Sequence, residues 1–304
     1  MPEGPECRVM ADQLRVALLN RFICGVSYDQ RSKYARKVPI YQTVINGDGI
    51  EEEAISHYVE AGLANQESAT GRVIDVRTKG KKIVIILDTD VYLVSSLGME
   101  GRWSLQPLDH SNLWINIGRA LPGPLRVKVV EQRLWYDDSR HFGEFEVFVG
   151  TDAINKRLKI IGPDLLDDAL SGNRFITLDL WRQTARKYPK KQICAFLMDQ
   201  QRFAGVGNYL KAEILYFAQI RPDRLIGELT DHELEVIRLQ TLRIIAASYL
   251  QQGHTSRTYR GLDGVSGAFQ VVVYNKQYDP LGNPVVKQEF GDKRTTHWVP
   301  NVQH

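Results

Sequence analysis

Gly205-Val206-Gly207-Asn208 divides two helical runs, residues 191–203 and 209–218. The paired glycines release the backbone into a tight turn. Asn208 then falls where a helix N-cap belongs, with the free amides of a new helix behind it. Such a helix start binds phosphate well. Taken alone, the same letters also describe a plain helical hairpin whose Asn merely caps.

The flanks add charge. Between Trp181 and Arg224 there are nine Lys or Arg against three Asp or Glu, with Trp181, Tyr188, Phe203 and Tyr209 interleaved. Cations among aromatics suggest a polyanion surface, a solvated helix face being the other reading. Further on, Thr230-Asp231-His232-Glu233 has capping-box form, and Leu234, Ile237, Thr241, Leu242, Ile245 and Tyr249 continue a helical stripe. The acidic stretch Leu165–Leu170 reads as a linker, and the Gly- and Ser-rich residues 253–267 as a mobile loop. The last forty residues return to strand character. Phe269–Tyr274, Val285–Phe290 and Arg294–Val299 are separated by turn residues and form a hairpin-like tail.

Toward the N-terminus the period changes. Met10, Leu14 and Leu18, flanked by Val9 and Ala17, predict one helix from Pro5 to about Asn20. Strands are then expected at Val73–Thr78, Ile83–Leu87, Val91–Val94, Leu113–Ile117, Arg126–Val130, Leu134–Tyr136 and Phe145–Val149. That spacing suggests a β-sandwich or flattened barrel. Residues 34–69 are weakly patterned and read as an insertion.

A chain of 304 residues favours two domains over one. A net charge of +3 is too small to argue for nucleic acid by itself. Cys7, Cys24 and Cys194 are odd in number and far apart, so neither a disulfide framework nor a cysteine zinc site is supported. No basic leader with an apolar core opens the chain, and no apolar run approaches membrane length. An intracellular, reducing environment is expected.

The opening residues, Met1-Pro2-Glu3-Gly4-Pro5-Glu6, carry a chemical possibility. If Met1 is removed, the chain begins with a secondary amine, a nucleophile no internal residue offers. An α-amino group titrates at about 7.7–8.0, so a useful fraction is neutral at pH 7. Attack of that amine on a sugar carbon would form an iminium ion, a covalent intermediate. Glu3 and Glu6 supply carboxylates beside it. Alone, the stretch also reads as an ordinary helix lead-in.

Taken together, Met-Pro-Glu-Gly-Pro-Glu at the start and Leu197-Met198-Asp199-Gln200, Gly205-Val206-Gly207-Asn208-Tyr209 and Ala212-Glu213-Ile214-Leu215 later resemble the formamidopyrimidine-DNA glycosylase and endonuclease VIII family. The resemblance covers nearly the whole chain and is weakest in residues 25–70. It implies an α+β multidomain protein. An N-terminal β-sandwich with a flanking helix would span 1–155, a helical helix–two-turn–helix DNA-binding domain 156–265, and a β-hairpin finger 266–304.

It also implies a base-excision enzyme that removes an oxidised base and then cuts the strand. Pro2 matches the Schiff-base nucleophile and Glu3 the acid/base that opens the sugar. Glu6 matches a second carboxylate of the opening motif. Lys81, with Lys79 and Lys82 close by, matches the lysine that assists β-elimination. Met99, in Leu97–Trp103, matches the residue that fills the space a flipped nucleotide leaves. Arg140 and Phe142, in Asp138–Gly143, match the pair that faces and wedges beside the orphaned base. Asn208 and Lys191 fall to DNA binding, and His110 resembles a phosphate-contacting histidine.

At the C-terminus, valines stand at 299 and 302, and Asn283-Pro284-Val285 stands where many members carry another cysteine. This resembles the zincless finger of some endonuclease VIII-like members, held by packing of side chains such as Tyr274, Phe290 and Trp298. Arg294 keeps the finger arginine's position, with a role in phosphate binding and δ-elimination. No metal, no cofactor, damaged double-stranded DNA as partner, no membrane and a monomer are expected. The opening motif leans to oxidised pyrimidines, with ring-opened or further-oxidised purines. An 8-oxoguanine/formamidopyrimidine-type purine glycosylase is the alternative, and a non-catalytic damage-binding protein is the alternative from another class.

Overall fold

The computed structural model describes residues 2–29, 70–120, 128–172, 174–255 and 259–304. The expected insertion at 34–69 lies outside them. Helix α1 (Gly4–Leu18) begins with Pro5 in its first turn, and the Glu6 carboxylate accepts the Glu3 amide at 2.8 Å. That bond satisfies one of the donors a helix start leaves orphaned.

Eight strands follow: β1 (Phe22–Tyr28), β2 (Gly71–Lys79), β3 (Lys82–Leu87), β4 (Val91–Ser96), β5 (Arg102–Ser104), β6 (Ser111–Ala120), β7 (Lys128–Asp137) and β8 (Glu144–Val149). They run in the order β5-β7-β6-β1-β2-β3-β4-β8, antiparallel throughout. Among the described residues, β1 and β2 share the pairs Phe22↔Arg72 and Ile23↔Gly71, beside a register shift between Ile23 and Gly25. At that weak seam the sheet divides into two four-stranded layers. Ile115, Ile117 and Leu134 from one layer meet Val76, Ile83, Ile85 and Leu93 from the other, and Met10, Leu14 and Leu18 of α1 close the same core. This is the expected sandwich with its flanking helix.

β3 and β4 are buried on both faces. Helix α2 (Thr151–Lys159) sets Ile154 against Val84, Ile86, Tyr92 and Val94 on the outer side. Hence the run Ile83–Leu87 is apolar at every position rather than at alternate ones. Two expected strands prove to be one: β7 pairs with β6 without a turn at Gln132 or Arg133. Only part of the segment expected at Arg126–Val130 lies within the described residues.

The second half is helical. The Asp164 carboxylate accepts the amides of Leu166 and Asp167 at 2.9 and 3.3 Å and so caps α3 (Leu165–Leu170). The stretch expected as a linker is therefore a helix, its acids serving as cap and staple. Asp168 is fully buried and accepts from Phe175 and Ile176. After α4 (Leu178–Arg186), the helix expected over 191–203 is only α5 (Ile193–Leu197) followed by turns. α6 (Asn208–Phe217) and α7 (Asp231–Leu250) match expectation, and Thr230 with Glu233 makes the capping box of α7.

The aromatic and basic stretch is reassigned. Trp181 stacks on Phe203 at 4.7 Å and both are buried, as is Tyr209. They build the helical core instead of lining a polyanion surface. Arg182, Arg186, Lys191, Arg202, Lys211, Arg221 and Arg224 each have an acidic partner, mostly from other segments.

In the tail, β9 (Val286–Glu289) pairs with β10 (Thr295–Trp298). Residues 269–274 form no strand. The amides of Val272, Val273 and Tyr274 donate instead to the Glu213 carboxylate on α6 at 2.8, 3.0 and 2.9 Å. Val273 and Val299 pack on Ala212 and Tyr216, with Val285 and Val302 beside them. Lys211 pairs with Asp292, both buried. Among the described residues, no three His, Cys, Asp or Glu are grouped to hold a metal, and no helix is long and apolar enough to cross a membrane.

Candidate active site and nucleic-acid interface

Glu3 lies at the junction of the two halves, 1% exposed. Its Oε2 accepts the Gly207 amide at 2.7 Å and its Oε1 the Tyr209 amide at 2.8 Å, with Leu210 at 3.3 Å. The amides at the start of α6, expected to await a phosphate, are thus occupied by a carboxylate of the same chain. The N-cap is Gly207, one residue before the expected Asn208. A Cβ on Gly207 would collide with the Glu3 carboxyl carbon, so glycine is required for this approach. Asn208 points elsewhere: its Nδ2 donates to the Thr295 carbonyl at 3.0 Å, and its Oδ1 is buried without a partner.

Burial pushes the Glu3 pKa up to about 7, against Lys81, which lowers it, while Glu6 adds to the rise. Burial likewise lowers Lys81, with Glu3 and Glu6 opposing and the Arg294 charge helping. Lys81 is therefore the turn lysine in the field of both carboxylates. Lys82 pairs with Glu144. The Lys81 turn is held from the other half, where Asp164 Oδ2 accepts the Gly80 amide at 2.5 Å. Pro2 is buried beside Glu3, and Arg294 is exposed at the hairpin turn.

The Glu6 carboxylate accepts three hydrogen bonds. Beyond the Glu3 amide, it accepts the Tyr209 hydroxyl at 2.8 Å and the His254 amide at 2.7 Å. A Cβ on Gly253 would lie 2.9 Å from Glu6 Cγ, and its φ of +91° also demands glycine. The Tyr259 hydroxyl donates to the Glu6 carbonyl at 3.2 Å, and the Leu262 amide to Gln13 at 2.7 Å. Much of the segment expected as a mobile loop is therefore tied to α1.

The expected wedge residues occupy two turns in backbone contact. A Cβ on Gly98 would meet Phe142 C and Gly143 N at 2.5 Å. The Tyr136 hydroxyl donates to the Ser96 carbonyl and the Gly143 amide to Asp138, both at 2.7 Å, bracing the pair. Phe142 is 56% exposed, so it is no core residue, and Met99, the residue after Gly98, is half-buried. The Arg140 guanidinium lies 5.5 Å from the Phe142 ring centroid. His110 is exposed on a separate turn, its amide bonded to Asp137 at 2.9 Å. Lys191 is engaged by Asp199 at 2.6 Å. Sequence reasoning missed Asp164, Tyr209 and Glu213, whose roles depend on partners 84, 203 and about sixty residues away.

Three family models match in chain order. The formamidopyrimidine-DNA glycosylase N-terminal domain covers residues 1–145, its H2TH domain 161–260 and its C-terminal domain 264–304. The chain belongs to the formamidopyrimidine-DNA glycosylase family. By family it is a DNA glycosylase with AP lyase activity, which sets aside the non-catalytic alternative. Among relatives, the formamidopyrimidine-DNA glycosylase of Thermus thermophilus is 30% identical over 82% of this chain and 89% of its own length. That of Exiguobacterium is 26% identical, covering 100% of this chain and 99% of the relative. The crystal structure of MutM (Fpg) from Thermus thermophilus superposes with a TM-score of 0.77 at 24% identity, over 99% of this chain and 98% of that one. A Lactococcus lactis Fpg complex with Fapy-dG-containing DNA gives 0.77 at 23%, over 100% of both chains. These likenesses fix the fold of this glycosylase family member.

Proposed function

We propose that the protein excises oxidised bases from duplex DNA through a Schiff base on Pro2 and then cleaves the strand. The observation that carries this reading is the Glu3 carboxyl, adjoining Pro2, held by the first amides of α6 with a pKa near neutrality. A group half-protonated near pH 7 can both give and take a proton.

The Pro2 nitrogen, as the chain's neutral terminal amine, bonds to C1′ of the deoxyribose while the base departs with the glycosidic electron pair, and the proton the amine loses goes to the departing base. Glu3 protonates O4′ as the sugar ring opens, which leaves an iminium ion. The iminium acidifies the C2′ proton. Lys81, whose charged form burial disfavours, assists its removal, and the 3′ phosphate leaves. A second elimination frees the 5′ phosphate, with Arg294 gripping phosphate at the site, and leaves a one-nucleotide gap. Asn208 and Arg294 bind the backbone, an affinity that falls with salt. Met99, Arg140 and Phe142 fill and read the space left by the flipped nucleotide. Glu6 acts as the strut that orients Glu3 and Tyr209. The finger is of the zincless kind.

For the lesion, ring-opened purines come first: the relatives are named for formamidopyrimidine, and the Lactococcus lactis neighbour holds Fapy-dG-containing DNA. Oxidised pyrimidines are the second reading, favoured by the opening Met-Pro-Glu-Gly-Pro-Glu.

The test is borohydride trapping on abasic-site DNA with the untagged protein, its N-terminus verified by mass spectrometry, against a form carrying an N-terminal tag. The untagged protein should form a covalent adduct and the tagged one none. Equal cleavage by both would remove Pro2 from the mechanism. A lesion panel separates the substrates: thymine glycol excised and formamidopyrimidine untouched would put oxidised pyrimidines first.

A further inference from the structure

Resting on the reading that Arg294 grips the phosphate released in the second elimination, we propose that Asp292, anchored by the buried Lys211, is the positioning residue for Arg294. The pair thereby sets how far the reaction runs past the first strand cut.

Lys211 lies on α6 and Asp292 in the turn between β9 and β10, and their side chains, 0% and 3% exposed, form an ion pair. Taking two charges out of water costs about as much as their attraction returns, so such a pair is weak support for a fold. The other carboxylate oxygen supplies a further reason for it. Asp292 Oδ1 accepts the Arg294 amide at 3.2 Å, while Oδ2 holds Lys211. An acid two residues from an arginine is also a ready trap for its guanidinium. Here the carboxylate is turned inward and its charge is met by Lys211, and Arg294 stands exposed to an outside anion.

The other side of Arg294 is held from the same helical turn. Asn208 Nδ2 donates to the Thr295 carbonyl at 3.0 Å, and Lys211 follows Asn208 by three residues on α6. The amides of Gly207 and Tyr209 at that helix start hold Glu3. One turn of α6 therefore refers Arg294 and Glu3 to each other. The Gly291 amide, beside Asp292, adds a bond to Gln192 at 2.7 Å and steadies the hairpin turn from α5. The Arg294 charge is felt at Lys81, as a guanidinium at the reaction centre requires.

After the first cut the sugar remnant is a conjugated iminium on Pro2. Water takes the C4′ proton, and the freed electrons run into the iminium nitrogen. They return along the conjugated chain, and the C5′–O bond breaks with its pair going to the 5′ phosphate. Charge develops on that phosphate in this step alone, so a guanidinium misplaced by about an ångström slows this step and spares those before it.

The experiment resolves the cleavage products of abasic-site duplex into the unsaturated 3′ aldehyde of the first elimination and the 3′ phosphate of the second. The full chain is assayed as wild type, Lys211→Met/Asp292→Leu, Lys211→Met/Asp292→Asn and Arg294→Ala. Both double variants remove the ion pair without leaving a lone buried charge. The ratio of phosphate to aldehyde should fall roughly tenfold in Arg294→Ala and in Lys211→Met/Asp292→Leu, the worth of one hydrogen bond to a charged group. Asparagine still accepts the Arg294 amide, so Lys211→Met/Asp292→Asn should stay within about threefold of wild type. Ratios taken on one protein sample are independent of the fraction folded. A wild-type ratio in Lys211→Met/Asp292→Leu, with the ratio lost in Arg294→Ala, overturns the role of Asp292 alone. An equal fall in both double variants also overturns it, because loosening of the whole hairpin would then be the cause. A wild-type ratio in Arg294→Ala overturns the underlying reading of Arg294.

Discussion

Glu3 gathers the conflicting demands of the site into one side chain. It is buried, which disfavours its charge, yet three amides and Lys81 favour it, and burial wins. Its pKa of about 7 stands above the ordinary 4.5, so the folded chain holds this proton more tightly than the unfolded one. Stability from this group is therefore highest below pH 4.5 and declines as pH rises through 7. Excision follows the same sign, because the protonated form donates to O4′. We expect single-turnover excision to fall above about pH 7, and Glu3→Gln to slow it by roughly 10²–10⁴ and erase that alkaline limb. An alkaline limb persisting at the same pH in Glu3→Gln would assign the titration to another group. The letters Pro-Glu made Glu3 a candidate. Its environment was not legible, since every donor it uses is more than two hundred residues away.

Among the elements, the turn between β2 and β3 shows how a helix start in one half positions a lysine in the other. Asp164 caps α3 and with its second oxygen holds the Gly80 amide. Its own pKa is pushed up to about 6 by burial, with Asp167 adding to the rise. Asp164→Ala should cost about 1–2 kcal/mol in a denaturant melt, the usual worth of a cap. It should also slow strand cleavage more than base release, because the Lys81 turn loses its tether. Equal slowing of both steps would show that the tether serves general stability. The element pattern was readable where a period persisted, as in α1, α7 and β3. It failed where partners decide: β5 has three residues, and Leu165–Leu170 looks like a linker until Asp164 and Asp168 find their amides. The strand expected at Phe269–Tyr274 has β-branched letters, but its amides go to Glu213 instead of to a neighbouring strand.

For the molecule as a whole, the hairpin tail must be held in register with α6 so that Arg294 stands near Lys81. Glu213, the Lys211–Asp292 pair and the valine cluster tie the tail to α6. Val299 is fully buried, and Val299→Ala should cost about 2 kcal/mol from the lost methyls and the space they leave. A zinc chelator such as 1,10-phenanthroline should change neither the melting temperature nor strand cleavage. A chelator-induced drop in melting temperature would mean that a metal shares in holding the hairpin.

The sequence by itself determined the family and the order of its parts, and nominated the reactive letters, because motifs at both ends of a chain survive without reference to contacts. It also determined the helices whose apolar period lasts three turns or more. Tertiary structure alone decided which carboxylate caps which helix. It sent Trp181, Phe203 and Tyr209 into the core and gave four of the nine basic residues of that stretch, Arg182, Arg186, Lys211 and Arg224, acidic partners from outside it. It also brought Gly207 and Glu3 to within a glycine's clearance. The physical reason is range. Propensity and periodicity act over a turn or two, whereas desolvation, pairing and close approach depend on residues that only folding brings together. The opening Pro2-Glu3 pair was visible at once, and the near-neutral pKa of Glu3 came only with its burial at the junction of the two halves, against the α6 amides that lower it.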